Sequence, residues 1–222
     1  MRLDVFTLFP EWFGWFREQR HVRNVLDAGS EMRLFNPRET TPLKAGQVDD
    51  TPYGGGAGMV MRVDVIDAAL EAAYGGERPS RVVLLAPSGR QFDDALAAEL
   101  AAEPQVALIC GRYEGVDERV RRHLATDAVS IGPYVLSGGE PAAMVVADAV
   151  LRKLPGALGH EMSVVEESFS EALEGAPEYP HYTRPADYRG WAVPEILRSG
   201  DHARVREWRL ARSRERAPGA GG

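Results

Sequence analysis

A rhythm in the middle of the chain constrains its fold most. Three short apolar runs, at 81–85, 106–110 and 128–131, alternate with stretches of helical period at 93–102, 117–124 and 141–154. Runs that are apolar throughout need cover on both faces, and helix-length connections between them allow parallel pairing. The expected fold is therefore α/β, a parallel sheet with helices on both faces. The turns leaving those runs are chemically rich: Ala86-Pro87-Ser88-Gly89-Arg90, Gly111-Arg112-Tyr113-Glu114-Gly115, and Gly132-Pro133-Tyr134 on through Gly138-Gly139-Glu140. In open α/β sheets ligands sit outside the carboxyl ends of the strands, so three such turns predict one cleft.

The flanking segments are less regular. Residues 2–8 read as a strand, Pro10 opens a helix running to Arg20, and a second helix over 22–28 ends at Gly29. A strand at 32–35 follows, then a long loop over 36–59, dense in Pro and Gly, and a helix over 64–74 stopped by Gly75-Gly76. After Pro155-Gly156 the pattern changes to an irregular stretch and then a small helical unit, with Asp201 as N-cap of a helix reaching Arg212. This divides the chain into an α/β domain at 1–156, an interdomain linker at 157–172, and a small helical domain at 173–222 with a frayed tail.

Charge separates the two ends. The 222 residues carry a net −7, which taken whole argues against a polyanionic partner. Yet Arg198 to Arg216 holds seven arginines against Asp201, Glu207 and Glu215, a local +4, while the first 197 residues hold 19 basic and 30 acidic side chains, or −11. Only Lys44 and Lys153 are lysines. No run reaches the roughly 18–20 apolar residues of a membrane span. The opening MRLDVFTLFP has no secretory signature, so the expected place is the cytoplasm.

Several chemistries are disfavoured. Neither lysine sits in a P-loop, and Met59 spoils a dinucleotide fingerprint in the 54–58 glycine run. Val135 stands where a nucleophile elbow needs glycine, and Val164 where a zinc-protease motif beginning at His160-Glu161 needs its second histidine. The five histidines lack ligand spacing, and the single cysteine, Cys110, excludes an intrachain disulfide. No metal-binding residues are assigned. What remains is a cleft with close backbone approach at its glycines and an apolar Tyr134-Val135-Leu136 wall, suited to a flat nucleoside with a small polar tail.

The motifs carry a further identification. Gly111-Arg112-Tyr113-Glu114-Gly115-Val116-Asp117-Glu118-Arg119-Val120, Ser130-Ile131-Gly132 and the run 134–140 resemble the signatures of the bacterial tRNA (guanine-N1)-methyltransferase family, TrmD. So do the run 48–56 with Gly58-Met59, Pro180-His181-Tyr182-Thr183-Arg184-Pro185, Ser199-Gly200-Asp201-His202 and the Leu8-Phe9-Pro10 turn. The resemblance runs from residue 1 to about residue 210. It implies a SPOUT-type fold with a deep trefoil knot, against the general rule for chain topology. It also implies a homodimer with composite active sites, S-adenosyl-L-methionine as methyl donor, tRNA as acceptor, and Mg²⁺ as an assisting ion. The target implied is N1 of the guanosine immediately 3′ of the anticodon, preceded by another guanosine.

Residue by residue, the resemblance assigns the catalytic base to Glu167, ahead of Ser168-Phe169, where the family carries aspartate; the adjacent Glu166 is the alternative. Arg152 matches the arginine beside the target base, and Ser163 a linker residue near the acceptor. The implied donor pocket comprises Leu84, Leu85, Pro87, Gly111, Tyr113, Glu114, Ile131, Gly132, Tyr134, Leu136, Gly138 and Gly139. Pro133 and the order Pro141-Ala142 depart from the family pattern there. Asp50, Tyr53 and Gly56 fall near the acceptor base, and Arg184, His202 and Arg209 on tRNA phosphates.

Overall fold

The computed structural model describes residues 1–158 and 167–217, and the chain divides into two compact units, Met1–Leu158 and Gly159–Gly222. The first unit is built on a five-stranded sheet of order β2-β1-β6-β5-β7 in which every pairing is parallel. Its elements run β1 (Arg2–Phe6), a 3₁₀ turn (Pro10–Phe13), α1 (Gly14–Arg17), α2 (Arg20–Asp27), β2 (Glu31–Phe35) and α3 (Pro37–Thr40). A small antiparallel pair, β3 (Asp49–Asp50) and β4 (Val60–Met61), leads into α4 (Val63–Tyr74). Then come β5 (Arg81–Gln91), α5 (Asp94–Ala101), β6 (Gln105–Cys110), a π-helical turn (Val120–Leu124), β7 (Asp127–Ser130) and α6 (Glu140–Leu151).

Side-chain alternation explains why this sheet is covered twice. Val83, Leu85, Val106 and Leu108 enter one buried cluster with Val25, Leu96, Leu100 and Val146 from α2, α5 and α6. Their neighbours Val82, Leu84, Ala107 and Ile109 enter a second cluster with Val65, Ile66 and Leu70 of α4. Successive residues of a strand point to opposite faces, so an all-apolar strand feeds two cores. Asp4 is the exception on β1. It is fully buried, and is held by Arg33 at 2.7 and 2.8 Å, by the Tyr74 hydroxyl at 2.7 Å and by Gln105 at 2.7 Å. Burial and this carboxylate drive the Tyr74 phenol well above its ordinary range.

Helix ends follow local chemistry. Asp93 caps α5 by accepting the Leu96 N–H, and α4 stops at Gly75 in the left-handed region, φ 59°.

Four local expectations are corrected. The helix expected from Pro10 to Arg20 breaks into a 3₁₀ turn and the short α1, which ends at Arg17, with Phe13 and Phe16 both in the core. The 36–59 loop contains α3 and β3, tied down by Asn36 accepting the Arg38 N–H and by the β3–β4 pairing. The segment at 117–124 is π-helical only over Val120–Leu124. The Ala86–Arg90 turn does not end its strand: β5 leaves the ladder after Leu85 and rejoins β7 at Arg90, both pairing with Val129. Long-range pairing reclaims a segment whose Pro and Gly read locally as a stop.

In the second unit a 3₁₀ turn (Glu171–Leu173) is followed by a two-stranded hairpin, β8 (Asp187–Tyr188) and β9 (Trp191–Ala192). A further 3₁₀ turn (Glu195–Arg198) leads to α7 (His202–Arg216). Asp201 caps α7 by accepting the Arg204 N–H at 3.1 Å, as its position in the sequence predicts. The helix extends past the expected Arg212 to Arg216. Of the side chains on α7 only Ser213 is buried, its hydroxyl donating to the Pro177 carbonyl at 2.7 Å.

Candidate active site

The cleft lies where β5 leaves the ladder after Leu85 and where β6 and β7 end, on the side of the sheet that parallel topology favours for ligands. It encloses about 270 Å³ and is lined from three directions. β5 supplies Leu84, Leu85 and Pro87; the turn after β6 supplies Gly111, Tyr113 and Glu114. The turn after β7 supplies Ile131, Gly132, Tyr134, Leu136, Gly138 and Gly139. All twelve residues assigned to a donor pocket from the sequence thus face one cavity. Its walls are mostly apolar, and Tyr113, Tyr134 and Leu136 keep roughly 40–50% of their surface exposed.

The turns are locked together by backbone contacts. The Gly139 N–H donates to the Gly111 carbonyl at 2.8 Å, and Arg112 bridges Gly138. A Cβ on Gly139 would lie 2.7 Å from Cys110 Cα and 2.9 Å from Gly111 N, both backbone atoms that cannot yield. Tyr113 occupies the left-handed region at φ 61°, which few non-glycine residues adopt, and its hydroxyl accepts from Arg38 at 3.4 Å.

Arg112, which the sequence reading placed inside a motif without a role, is the main cross-link. Its guanidinium packs 4.1 Å from the Phe9 ring centre and 4.9 Å from that of Trp12, and donates to the Ser137 carbonyl at 3.1 Å. Its Nε lies 3.0 Å from Oε2 of Glu140, a carboxylate with no exposed surface. That approach is an ion pair without hydrogen-bond alignment. The other Glu140 oxygen accepts the Thr7 hydroxyl at 2.9 Å. At the first turn of α6 the carboxylate also meets the positive end of the helix dipole. Beneath it, burial and the Glu140 charge push the Cys110 thiol up, which leaves it a poor nucleophile.

The acceptor-side residues adjoin this cleft. Asp50 sits in β3 with its carboxylate 3.1 Å from Arg62, which also holds Asp64 at 2.8 Å. The hydrogen bond to Arg62 is the main cause that lowers the Asp64 pKa. The loop carrying the fully exposed Tyr53, and Gly56, returns against the second turn: the Glu114 N–H donates to Met59 O and the Met61 N–H to Gly115 O, each at 3.0 Å. Ser88, Val116, Glu118 and Arg121 also line the cavity and were not assigned to it from sequence, although Ser88 lies in a turn read as bordering the cleft. Arg121 donates to the Ser88 hydroxyl at 3.3 Å. Glu118 and Val116 stood inside a quoted motif, which was the available signal.

The remaining assignments fall elsewhere. Arg152 is the C-cap of α6 in the first unit, whereas Glu167 belongs to the second unit, where its carbonyl accepts the Ser170 N–H at 3.0 Å. Ser163 and Glu166 lie outside the described residues. Arg184 is exposed ahead of Pro185, and His202 and Arg209 lie on α7, both lining a second cavity. Among the described residues, no three His, Cys, Asp or Glu side chains are grouped to hold a metal ion, and no helix is long and apolar enough to cross a membrane.

Comparison with known proteins places the chain. The family model described as tRNA (Guanine-1)-methyltransferase TrmD matches residues 1–219. A tRNA (guanine-N(1)-)-methyltransferase of Brevibacillus brevis is 51% identical over 221 residues, covering 97% of this chain and 88% of the relative. One from Pelotomaculum thermopropionicum is 50% identical, covering 98% and 88%. The crystal structure of a tRNA (m1G37) methyltransferase from Aquifex aeolicus superposes with a TM-score of 0.76 at 38% identity, over 95% of this chain and 88% of that one. With residues 1–219 matched by the family model and a relative 51% identical over 97% of it, the chain belongs to the TrmD family of tRNA (guanine-1)-methyltransferases.

Proposed function

We propose that the protein transfers a methyl group from S-adenosyl-L-methionine to N1 of the guanosine immediately 3′ of the anticodon in tRNA, position 37, forming 1-methylguanosine. The observation that carries this is the closure of three motif-bearing turns around one mostly apolar cleft, in a chain matched by the family along its length. Apolar walls from Leu84, Leu85, Ile131 and Leu136 suit the adenine face, and Glu114 offers a carboxylate to ribose hydroxyls or an amino group. The donor, when bound, supplies an already activated methyl on a sulfonium.

The chain's own residues then position the acceptor and manage a proton. N1 of neutral guanine becomes nucleophilic only as its hydrogen leaves, and the Glu167 carboxylate is the proposed base. Charge developing toward O6 is stabilised by Arg152. Asp50, Tyr53 and Gly56 are proposed beside the acceptor base, with Ser163 in the linker. Arg184, His202 and Arg209 are proposed on tRNA phosphates. No step is assigned to the Mg²⁺ that the family resemblance implies, since no group of three or more His, Cys, Asp or Glu side chains among the described residues gathers to hold a metal ion.

The proposed setting is a cytoplasmic homodimer with composite sites, the linker at 157–172 joining donor-binding and tRNA-binding domains. The exposed Trp15 and Val145 of the first unit support a partner surface. The trefoil knot is proposed on the family membership and the likeness to the Aquifex aeolicus structure.

Single-turnover methylation of a tRNA transcript tests the reading, with Glu167→Gln expected to slow chemistry by about 10²–10⁴-fold while donor binding is retained. Binding of both substrates by the unsubstituted protein without product would instead make it an RNA-binding protein on this fold. A fully active Glu167→Gln beside an inactive Glu166→Gln would move the base by one residue.

A further inference from the structure

The second unit contains a cavity of about 320 Å³ that the methyl-transfer chemistry does not use. Its floor is apolar, from Leu173, Val205 and Leu210, and one wall is Tyr179, only 5% exposed. Its rim is basic. His202, Arg206 and Arg209 recur at intervals of four and three along α7, so they share one helix face. The Arg209 guanidinium stands 4.7 Å from the Tyr179 ring centre, and the His181 ring centre lies 4.9 Å from it. A surface that met only phosphates would need the rim without the floor. A cavity of this volume, apolar and aromatic within and basic at its edge, matches the two halves of a nucleotide, a flat base and an anionic phosphate.

We propose that this cavity receives one unstacked nucleotide of the bound tRNA, its base on the apolar floor of Leu173, Val205 and Leu210 and its phosphate on His202 and Arg206. The proposal rests on the tRNA reading above and deepens it: α7 then reads the shape of an RNA that can release a base, beyond attracting its charge. An unpaired or loop nucleotide is the chemistry that fits, since unstacking one from a perfect duplex costs binding energy.

Two full-length variants separate base from phosphate. Ala172→Trp fills the cavity mouth from an exposed lining position without changing charge. It is expected to weaken binding of a tRNA transcript about tenfold, with the salt dependence unchanged and S-adenosylmethionine affinity unaltered. Arg206→Ala is expected to weaken binding and lower the slope of log affinity against log salt by about one, with Arg206→Lys restoring most of both. In a series of transcripts each carrying one abasic nucleotide, a single member should bind the unsubstituted protein and Ala172→Trp equally well. The proposal is overturned if both variants bind like the unsubstituted protein, or if every abasic transcript remains equally sensitive to Ala172→Trp. Should the unsubstituted protein fail to methylate tRNA at all, the functional reading fails first; methylation with insensitive variants sinks only the cavity.

Discussion

In the first unit a carboxylate and a guanidinium are buried beneath the turns that form the cleft, whereas in the second the charges stand in water on a helix with one buried side chain. Glu140 has no exposed surface and Arg112 keeps 14% of its side chain exposed, so their pairing acts in a low dielectric. Arg214–Glu174 and Arg212–Glu215 on α7 are all more than 40% exposed, and such pairs add little to stability. The difference separates two tasks. A cleft for a small molecule needs turns fixed to within a fraction of an ångström, and the buried pair supplies that rigidity. The RNA surface proposed for the second unit needs reachable cations, which a loosely buried helix provides.

Breaking the buried pair should have the largest effect. Arg112→Ala leaves Glu140 uncompensated and is expected to cost about 3–5 kcal/mol, read as a lower urea midpoint by the fluorescence of the neighbouring Trp12. An unchanged midpoint would place the rigidity elsewhere. Next is Gly139→Ala, whose added methyl meets the backbone of Cys110 and Gly111. Overpacking of about 1–3 kcal/mol should lower S-adenosylmethionine affinity about tenfold by calorimetry, with tRNA affinity less affected. If both affinities fall together, the two tasks are not separable.

Asp201→Ala removes the cap of α7, worth about 1 kcal/mol. The comparison is sharpened if tRNA affinity falls severalfold in filter binding and the donor constant stays fixed. The smallest effect is acid loosening of the second turn. The hydrogen bond from Arg119 holds the Asp117 carboxyl below its ordinary 3.8. Its stabilisation is therefore complete above pH 3.8 and is lost as pH falls through the depressed value. A carbon-NMR titration of Asp117 with a midpoint below 3.8 agrees; one at or above it removes the Arg119 clamp.

The legibility of the sequence divides along the same line. The apolar strands and their interleaved helices were readable because two-sided burial leaves a local, periodic mark. The residues at Gly111–Gly115 and at Gly132–Gly139 were readable because long motifs pass through them. Arg112 was in view yet given no task, since its partners come from two remote segments, Thr7 and Phe9 near the start of the chain and Ser137 and Glu140 after β7. Ser88 and Arg121 were not assigned for the same reason, being brought together across 33 residues of chain.

By itself the sequence determined the layer architecture, the places of the cleft-lining turns, the capping of α7 by Asp201 and the concentration of arginine toward one end. These are properties of near neighbours, set by side-chain periodicity and by local backbone chemistry. Only the tertiary structure decided that β5 resumes after its bulge, that Glu140 is buried against Arg112 and Thr7, and that the basic face of α7 borders a cavity with an apolar floor. Each of these depends on groups far apart in the chain meeting in a desolvated space, where contact and dielectric, rather than sequence spacing, set the energy.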